Sequence, residues 1–414
     1  MFLCLVSLVE VYSATSTLAY KNVHFWAPIL RHASFLFAGF ASVLVLHNIP
    51  SKYYSVAIIL LPISMLMLLV TPLIGVNVNT SYRFLSFMGI QFQPSEFAKL
   101  ACVVFVAFML SKQDRFTPDK TFWITIIGVS FTCLLIFFEN FSTAVLLFIV
   151  CFLMMFVGQA SNKKMGALFV LLVLSGGLVL TAFNTVPDDF AVKYFHRYPT
   201  WKSRLGIERV ENWGGHLVKE KSEESVEKEN KYVINDDNYQ TNHAKIAVAR
   251  GGVFGRGPGR SIQRDFLPQA YSDFIYAIII EELGLIIGGI GVLMLYVFLM
   301  FRVAIIARRC EKLFPKYLAL GCGLLIVIQA FINMAVAVDL FPVTGQPLPL
   351  ISRGGTSTML TCFYFGIILS VSRFGAGMGD EGEDAENPVV TEDISTEEIV
   401  EPVNLVDVDD NKKS

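Results

Sequence analysis

Ten stretches of mostly apolar residues, near 2–20, 29–47, 54–74, 96–111, 122–138, 143–158, 165–183, 273–301, 317–338 and 355–372, divide this chain. A helix needs roughly 20 such residues to cross a bilayer. Inside lipid every backbone polar group must be satisfied within the segment, which leaves helices as the form these runs can take. With 54% hydrophobic and only 16% charged residues, the chain is too apolar for a soluble domain. The expected fold is an all-α polytopic membrane protein of about ten transmembrane helices. It carries a large extracytoplasmic loop over 184–266, between helices 7 and 8, and re-entrant outer loops. The first run has no basic flank and no small-residue cleavage site after it, against a removable signal peptide. It starts abruptly, as if a few residues preceded it.

Charge sorts the connections into two sides. With the N-terminus inside, one set carries Lys52, Lys112, Arg115, Lys120, Lys163, Lys164, Arg302, Arg308, Arg309, Lys312, Lys316 and Arg373, whereas the opposite short connections hold little beyond Lys21, Arg83 and Arg353. The positive-inside rule therefore predicts both termini in the cytoplasm, the long loop being left out of the count. Residues 380–414 contain 13 of the 35 acids but only 2 of the 33 bases, and no aromatic residue. Residues 1–378 are thus read as the transmembrane body and 379–414 as a disordered acidic cytoplasmic tail.

On this sidedness the unusual polar clusters gather on the outer face: Arg83, the run Gln93-Pro94-Ser95-Glu96 with Lys99, Glu139-Asn140, the long loop, Asp273, and 341–356. Ser95 is expected to cap a helix, and Glu96 and Lys99, three apart, share a face either as an ion pair or to orient a polar substrate. Residues 339–355 hold three prolines, including Pro342, and the glycines Gly345, Gly354 and Gly355, so they form no helix. Irregular backbone near membrane depth must line a cavity or be buried in protein, which predicts a re-entrant loop. The glycine-rich stretch from Arg250 to Arg260 lacks a Walker Lys-Ser/Thr, so it is either an anion-meeting surface or a solvated turn. Three acids fall in the apolar stretch 273–301, where ionisable groups are costly enough to be functional candidates. Asp273 is expected to open its helix at the wet mouth, as a candidate general base. Glu281 and Glu282 are placed about 12 Å deeper at ~1.5 Å per residue, as structural hydrogen-bond acceptors. The seven cysteines show no CxxC spacing and the six histidines no HExxH spacing, which argues against a disulfide framework or a zincin site.

Taken in order, Val11-Tyr12-Ser13-Ala14, Gln93-Pro94-Ser95-Glu96 with Lys99, Gly251 to Gly257, Ser272-Asp273-Phe274-Ile275 with Glu281-Glu282-Leu283-Gly284, Asn333, Pro342-Val343-Thr344-Gly345, and Ser352-Arg353-Gly354-Gly355-Thr356-Ser357 resemble the SEDS family (shape, elongation, division and sporulation) of cell-wall polymerases. The resemblance covers residues 5–373. It implies a peptidoglycan glycosyltransferase that polymerises lipid II into glycan strands at the outer face of the bacterial cytoplasmic membrane, with Asp273 matching the essential aspartate. The candidate substrate-binding set is Arg83, Glu96, Lys99, Arg250, Ser352, Arg353 and Thr356, and the candidate supporting set is Glu281, Glu282, Asn333, Pro342, Gly345, Gly354 and Gly355. A divalent cation, Mg or Mn, is a candidate cofactor beside the cations. The implied partners are a class B penicillin-binding protein transpeptidase and other divisome membrane proteins in the same lipid bilayer, and no nucleic acid. The Val11 to Ala14 stretch and the acidic tail lean towards the division branch, at the septum, over the elongation branch. Arg353 and Asn140 depart from the usual pattern, which has Tyr and Asp there. A lipid-precursor flippase would need polar groups at both faces, and a mere scaffold would leave Asp273 and Lys99 without a purpose.

Overall fold

The computed structural model describes residues 2–14, 27–78, 81–87, 90–113, 117–158, 164–170, 239–267 and 270–375, together with positions 174, 177 and 181. In chain order its helices are α1 (Phe2–Ala14), α2 (Ala27–His47), α3 (Leu60–Ile74, entered through a 3-10 turn over Ser51–Ile59), α4 (Pro94–Ser111), α5 (Pro118–Glu139), α6 (Phe141–Val157), α7 (Tyr239–Gly251), α8 (Ile275–Gly284), α9 (Val292–Arg309), α10 (Leu313–Ala337) and α11 (Thr356–Phe374). The expected seventh span at 165–183, the centre of the long loop and the acidic tail fall largely or wholly outside the described residues. Seven described helices or helix pairs are long and apolar enough to cross a membrane, and Phe2–Ala14 and Phe141–Val157 are shorter apolar helices.

The bundle is organised around α4 and α10. Their apolar windows are 78% and 72% buried, against 17% for α2 and 22% for Ser51–Ile74, so α4 and α10 form the protein interior while the others turn much of their surface to lipid. Close approach of the two central helices depends on a small residue, since a Cβ on Gly321 would lie 2.6 Å from Val103 Cγ1 and 2.7 Å from Met154 Cε. Pro94 and Pro118 occupy the first turns of α4 and α5, where a missing N–H costs nothing. The expected Ser95 cap is not formed: with Pro94 starting the helix, Gln93 takes the N-cap position and Ser95 Oγ is buried without a hydrogen-bond partner. Asn140, by contrast, caps α6, its Oδ1 accepting from the Thr143 amide at 3.4 Å.

Two features depart from the all-α expectation of single straight spans. The connection before α4 forms a three-stranded antiparallel sheet, β1 (Val76–Val78), β2 (Ser81–Phe87) and β3 (Ile90–Phe92), in the order β1-β2-β3. Its β-branched and aromatic residues suit a pleated surface. The second is the stretch beginning at Asp273. Run straight from Ile275 to Arg309, these 35 residues would be about 52 Å long, against a hydrocarbon core of about 30 Å. Instead the chain reverses at Gly284, which adopts φ 80° and ψ 174°. The Tyr276 hydroxyl donates to the Gly289 carbonyl at 2.9 Å, and a Cβ on Gly288 would lie 2.5 Å from the Ile279 carbonyl oxygen. Both contacts need α8 to lie antiparallel against the π-helical turn Leu285–Gly291 that leads into α9.

The reversal changes where the three acids stand. Glu281 and Glu282 sit beside the tip, and Asp273 sits at the opposite end of the short arm. Measured from the Arg308–Arg309 end of α9, Asp273 is therefore reached before the glutamates, the inverse of the order expected from a straight helix. Gly255 makes the tip possible. It packs at φ 78° against the end of α8, where a Cβ would come within 2.3 Å of the Glu282 carbonyl oxygen and 2.4 Å of the Gly284 amide nitrogen. Gly284→Ala or Gly255→Ala would place a side chain in a left-handed conformation and against backbone. Each is expected to cost at least about 1–2 kcal/mol, read as a lowered unfolding temperature of the detergent-purified protein.

Candidate active site

Asp273 lies in the turn just before α8, two residues ahead of Ile275 and not within the helix as expected. Its position is set by groups on two other elements. Asn333, in the buried helix α10, donates from Nδ2 to the Asp273 carbonyl at 2.9 Å and to the Gln346 carbonyl at 2.8 Å. One amide thereby joins the aspartate's turn to the irregular segment 342–355. Ser352 Oγ donates to the Ser272 carbonyl at 2.6 Å and accepts from the Leu348 amide at 2.7 Å, while the Arg353 amide donates to the Tyr271 carbonyl at 2.9 Å. The segment is thus stitched to Tyr271, Ser272 and Asp273 in succession. Ser272 Oγ donates to Asp273 Oδ1 at 3.0 Å, and Gly345, at φ 66°, faces the other oxygen, with room for a Cβ only 3.8 Å from Oδ2.

The same segment is held from its other side by α4 and α6. Lys99 is fully buried, with its ammonium 2.8 Å from Glu96 Oε1 and donating to Gln329 Oε1 at 3.1 Å. Gln329 in turn donates from Nε2 to the Pro347 carbonyl at 3.0 Å. Gln346 Nε2 donates to Thr143 Oγ1 at 2.7 Å, next to the Asn140 cap. Gln329 and Asn333 are one turn apart on α10, about 6 Å along its axis, so a single helix face holds both the Lys99 pair and the Asp273 turn. An unpaired charge in the bundle would be prohibitively costly, and the ion pair with its extra hydrogen bond is what lets Lys99 be buried at all.

Glu281 and Glu282 serve a different part of the molecule. Glu281 accepts from Ser261 Oγ, from the Ile262 amide at 3.3 Å and from the Gln263 amide at 3.2 Å. Glu282 accepts from Ser13 Oγ of α1, from the Gly259 amide at 2.7 Å and from the Ser261 amide at 3.3 Å. The two carboxylates bind the loop after α7 and the end of α1 to the hairpin tip. The glycine-rich stretch contributes backbone to the same clasp, with the Arg256 and Gly257 amides donating to the Glu281 and Glu282 carbonyls at 3.1 and 2.8 Å. Its amides are therefore spent on protein and not arranged as a phosphate cradle.

Of the residues singled out from sequence, the structure brings Asp273, Asn333, Gly345, Ser352 and Arg353 into one constellation, with Lys99 and Glu96 joined to it through Gln329. Gly354, Gly355 and Thr356 form the adjoining start of α11, where Gly355 takes φ 53°. Arg250 is exposed at the end of α7, beside the hairpin tip, and Pro342 is exposed at the edge of the irregular segment. Arg83 lies on β2, and its side chain falls outside the described residues. The sequence reading missed Gln329, Gln346, Thr143 and the capping role of Asn140. A signal for Gln329 was present: two amides four apart in an otherwise apolar helix share a face. Among the described residues no three metal-ligating side chains come together.

Comparison with known proteins places these observations in a wider frame. Residues 1–376 match the family described as "Cell cycle protein", FtsW/RodA/SpoVE. The chain is 31% identical over 382 residues to the probable peptidoglycan glycosyltransferase FtsW of Saccharophagus degradans, covering 89% of each. It is 30% identical over 392 residues to the stage V sporulation protein E of Bacillus subtilis, covering 90% of this chain and 95% of that one. In fold it is similar to a chain of a peptidoglycan synthase complex (TM-score 0.63, 20% identity, 89% of this chain and 97% of that one). It is also similar to the rod shape determining protein RodA of Thermus thermophilus (TM-score 0.60, 19% identity, 90% and 95%).

Asn333→Ala would leave two carbonyls in the bundle without their donor, at about 1–3 kcal/mol for each buried group left unsatisfied. The expected outcome is faster amide hydrogen exchange over residues 345–353, with exchange in α4 unchanged.

Proposed function

Because the chain belongs to the FtsW/RodA/SpoVE family of cell cycle proteins, we propose that it is a peptidoglycan glycosyltransferase that polymerises lipid II during cell division. Curated relatives bearing the glycosyltransferase name across 89% of the chain support the reaction class. The observation that carries the site is Asp273, a carboxylate fixed by Ser272 and by the Asn333 bridge at the edge of an irregular loop inside a membrane bundle.

In the proposed reaction the acceptor sugar's 4-hydroxyl gives its proton to the Asp273 carboxylate. The oxygen attacks the anomeric carbon of the second lipid-linked chain with inversion. A new C–O bond forms as the bond between that carbon and the diphosphate oxygen breaks, and lipid diphosphate departs with the electron pair. A base held in place by its backbone and by Ser272 needs little reorganisation, and general-base catalysis of this kind contributes about 10²–10⁴-fold. Lys99 acts from behind: its ammonium is occupied by Glu96 and Gln329, so its charge fixes the loop at Pro347 and does not itself reach the leaving group.

The charge asymmetry of the connections supports a cytoplasmic position for both termini, which puts the tip of the hairpin towards the outer side of the membrane, with Asp273 below it. One similar structure belongs to a peptidoglycan synthase complex, which supports work beside a separate class B penicillin-binding protein at the septum.

The test is polymer formation from purified lipid II by the detergent-solubilised protein with its transpeptidase partner. Asp273→Ala is expected to lower the rate by about 10²–10⁴-fold without lowering the unfolding temperature. Glycan strands made by the variant at the wild-type rate would remove Asp273 from the mechanism. Lipid scrambling in proteoliposomes with no polymer from the wild type would make the chain a flippase.

A further inference from the structure

Helix α9 turns two arginines outwards along one stripe. Its buried face is Val292, Tyr296, Val303 and Ala307, and the opposite side exposes Phe298, Phe301, Arg302, Arg308 and Arg309. Phe298, Arg302 and Arg309 are spaced by four and seven residues, so at about 3.6 residues per turn they follow a single line, with Arg308 rotated away from it. Arg302 stands about 10 Å inward of Arg309 along the axis. Arg308 and Arg309 close the helix at the end that the charge asymmetry assigns to the cytoplasm.

A guanidinium facing hydrocarbon is costly unless it reaches water or an anion. Among the described residues none of Arg302, Arg308 and Arg309 has a carboxylate within ion-pair distance. The acid nearest in sequence, Glu311, lies beyond the helix end, in the connection to α10. A long basic side chain bends its charge towards the headgroup layer, which carries the Arg302 guanidinium along the stripe towards Arg309. Two such groups at headgroup depth match the oxygens of a phosphate. The rings of Phe298 and Phe301, 61% and 63% exposed, lie along the track that acyl chains would follow inward from it.

The buried face of the same helix is coupled to the Asp273 loop. Tyr296 donates to the Pro349 carbonyl of the irregular segment, and the π-helical turn that leads into α9 receives the Tyr276 hydroxyl of α8 at the Gly289 carbonyl. Against α10 the packing is close, since a Cβ on Gly323 would lie 2.7 Å from Val303 Cγ1. A change in the depth of α9 is thus passed to the loop through Tyr296. We infer that Arg302 and Arg309 bind the phosphate of an anionic phospholipid in the cytoplasmic leaflet, and that this lipid fixes the depth of α9 and with it the loop beside Asp273. The site is on the opposite side of the membrane from the hairpin tip, and its lipid is neither substrate nor product.

The full chain in mild detergent is offered equal amounts of phosphatidylglycerol and phosphatidylcholine, and the retained lipid is counted by native mass spectrometry. The wild type is expected to retain phosphatidylglycerol in preference. Arg302→Gln and Arg309→Gln are each expected to weaken that retention by about tenfold, the scale of losing a charge-assisted contact, and Arg308→Gln to leave it within about twofold. Arg302→Lys, which keeps the charge and loses the fork, should fall between the wild type and Arg302→Gln. In phosphatidylcholine nanodiscs, wild-type polymer formation from lipid II is expected to rise as phosphatidylglycerol is added. The double Gln variant should show no such rise, with an unfolding temperature equal to that of the wild type in phosphatidylcholine alone. Equal retention of the two lipids by the wild type overturns the site, as does unchanged phosphatidylglycerol retention in both single Gln variants. Displacement of the lipid by the transpeptidase partner, with the Gln variants failing to bind that partner, also overturns it and assigns the stripe to a protein helix. A wild-type rate indifferent to phosphatidylglycerol overturns the coupling to the loop. Absence of polymer from the wild type in every lipid overturns the proposed function, and the lipid count still decides the site.

Discussion

The structure around Asp273 depends on a side-chain amide placed where water cannot reach it. Asn333 stands on α10, one of the two most buried membrane spans among the described residues, and its Nδ2 is shared between the carbonyls of Asp273 and Gln346. In lipid or in a dry bundle a carbonyl without a donor costs several kcal/mol, so each of these two backbone stretches is held to the place where Asn333 can serve it. An irregular loop and a turn before a helix, neither of which has regular hydrogen bonding of its own, become a defined site because one amide satisfies both.

The neighbouring polar contacts extend the same logic outward. Gln329 joins Lys99 to Pro347, Gln346 joins the loop to Thr143, and Ser352 joins it to Ser272. Each buried polar group is matched with another from a different helix, so α4, α6, α10 and the α8 turn cannot move independently without breaking several bonds. Such a network is costly to assemble in an apolar interior and correspondingly specific once assembled. It suits a site that must keep a carboxylate aligned.

A second clasp stabilises the tip of the α8–α9 hairpin. Glu281 and Glu282 accept hydrogen bonds from the 259–263 segment and from Ser13, and Gly255 and Gly284 allow backbone to meet backbone there. The three acids that stand together in the sequence therefore belong to two structures. The glutamates are consumed by architecture at the tip, and the aspartate, at the other end of the short arm, meets the irregular loop.

Apolar runs of membrane-spanning length determined by themselves that this chain forms a helical membrane bundle, because lipid allows a backbone few other solutions. The prolines and glycines of 339–355 likewise showed that no helix could form there, and the residue pattern around Asp273 made it a candidate. What the sequence could not express was direction and partnership. Residues 273–301 exceed one span in length, a hint of the reversal, but only the packing of Gly255 against Gly284 reveals that the chain turns there and inverts the order of Asp273 and the glutamates. Glu96 and Lys99 read from their spacing either as an ion pair or as a pair that orients a substrate, and only the folded bundle shows the ion pair with its added bond to Gln329. Hydrogen-bond partners in a bundle come from helices hundreds of residues apart, as with Ser7 and Ile351, and so spacing along the chain holds no trace of them.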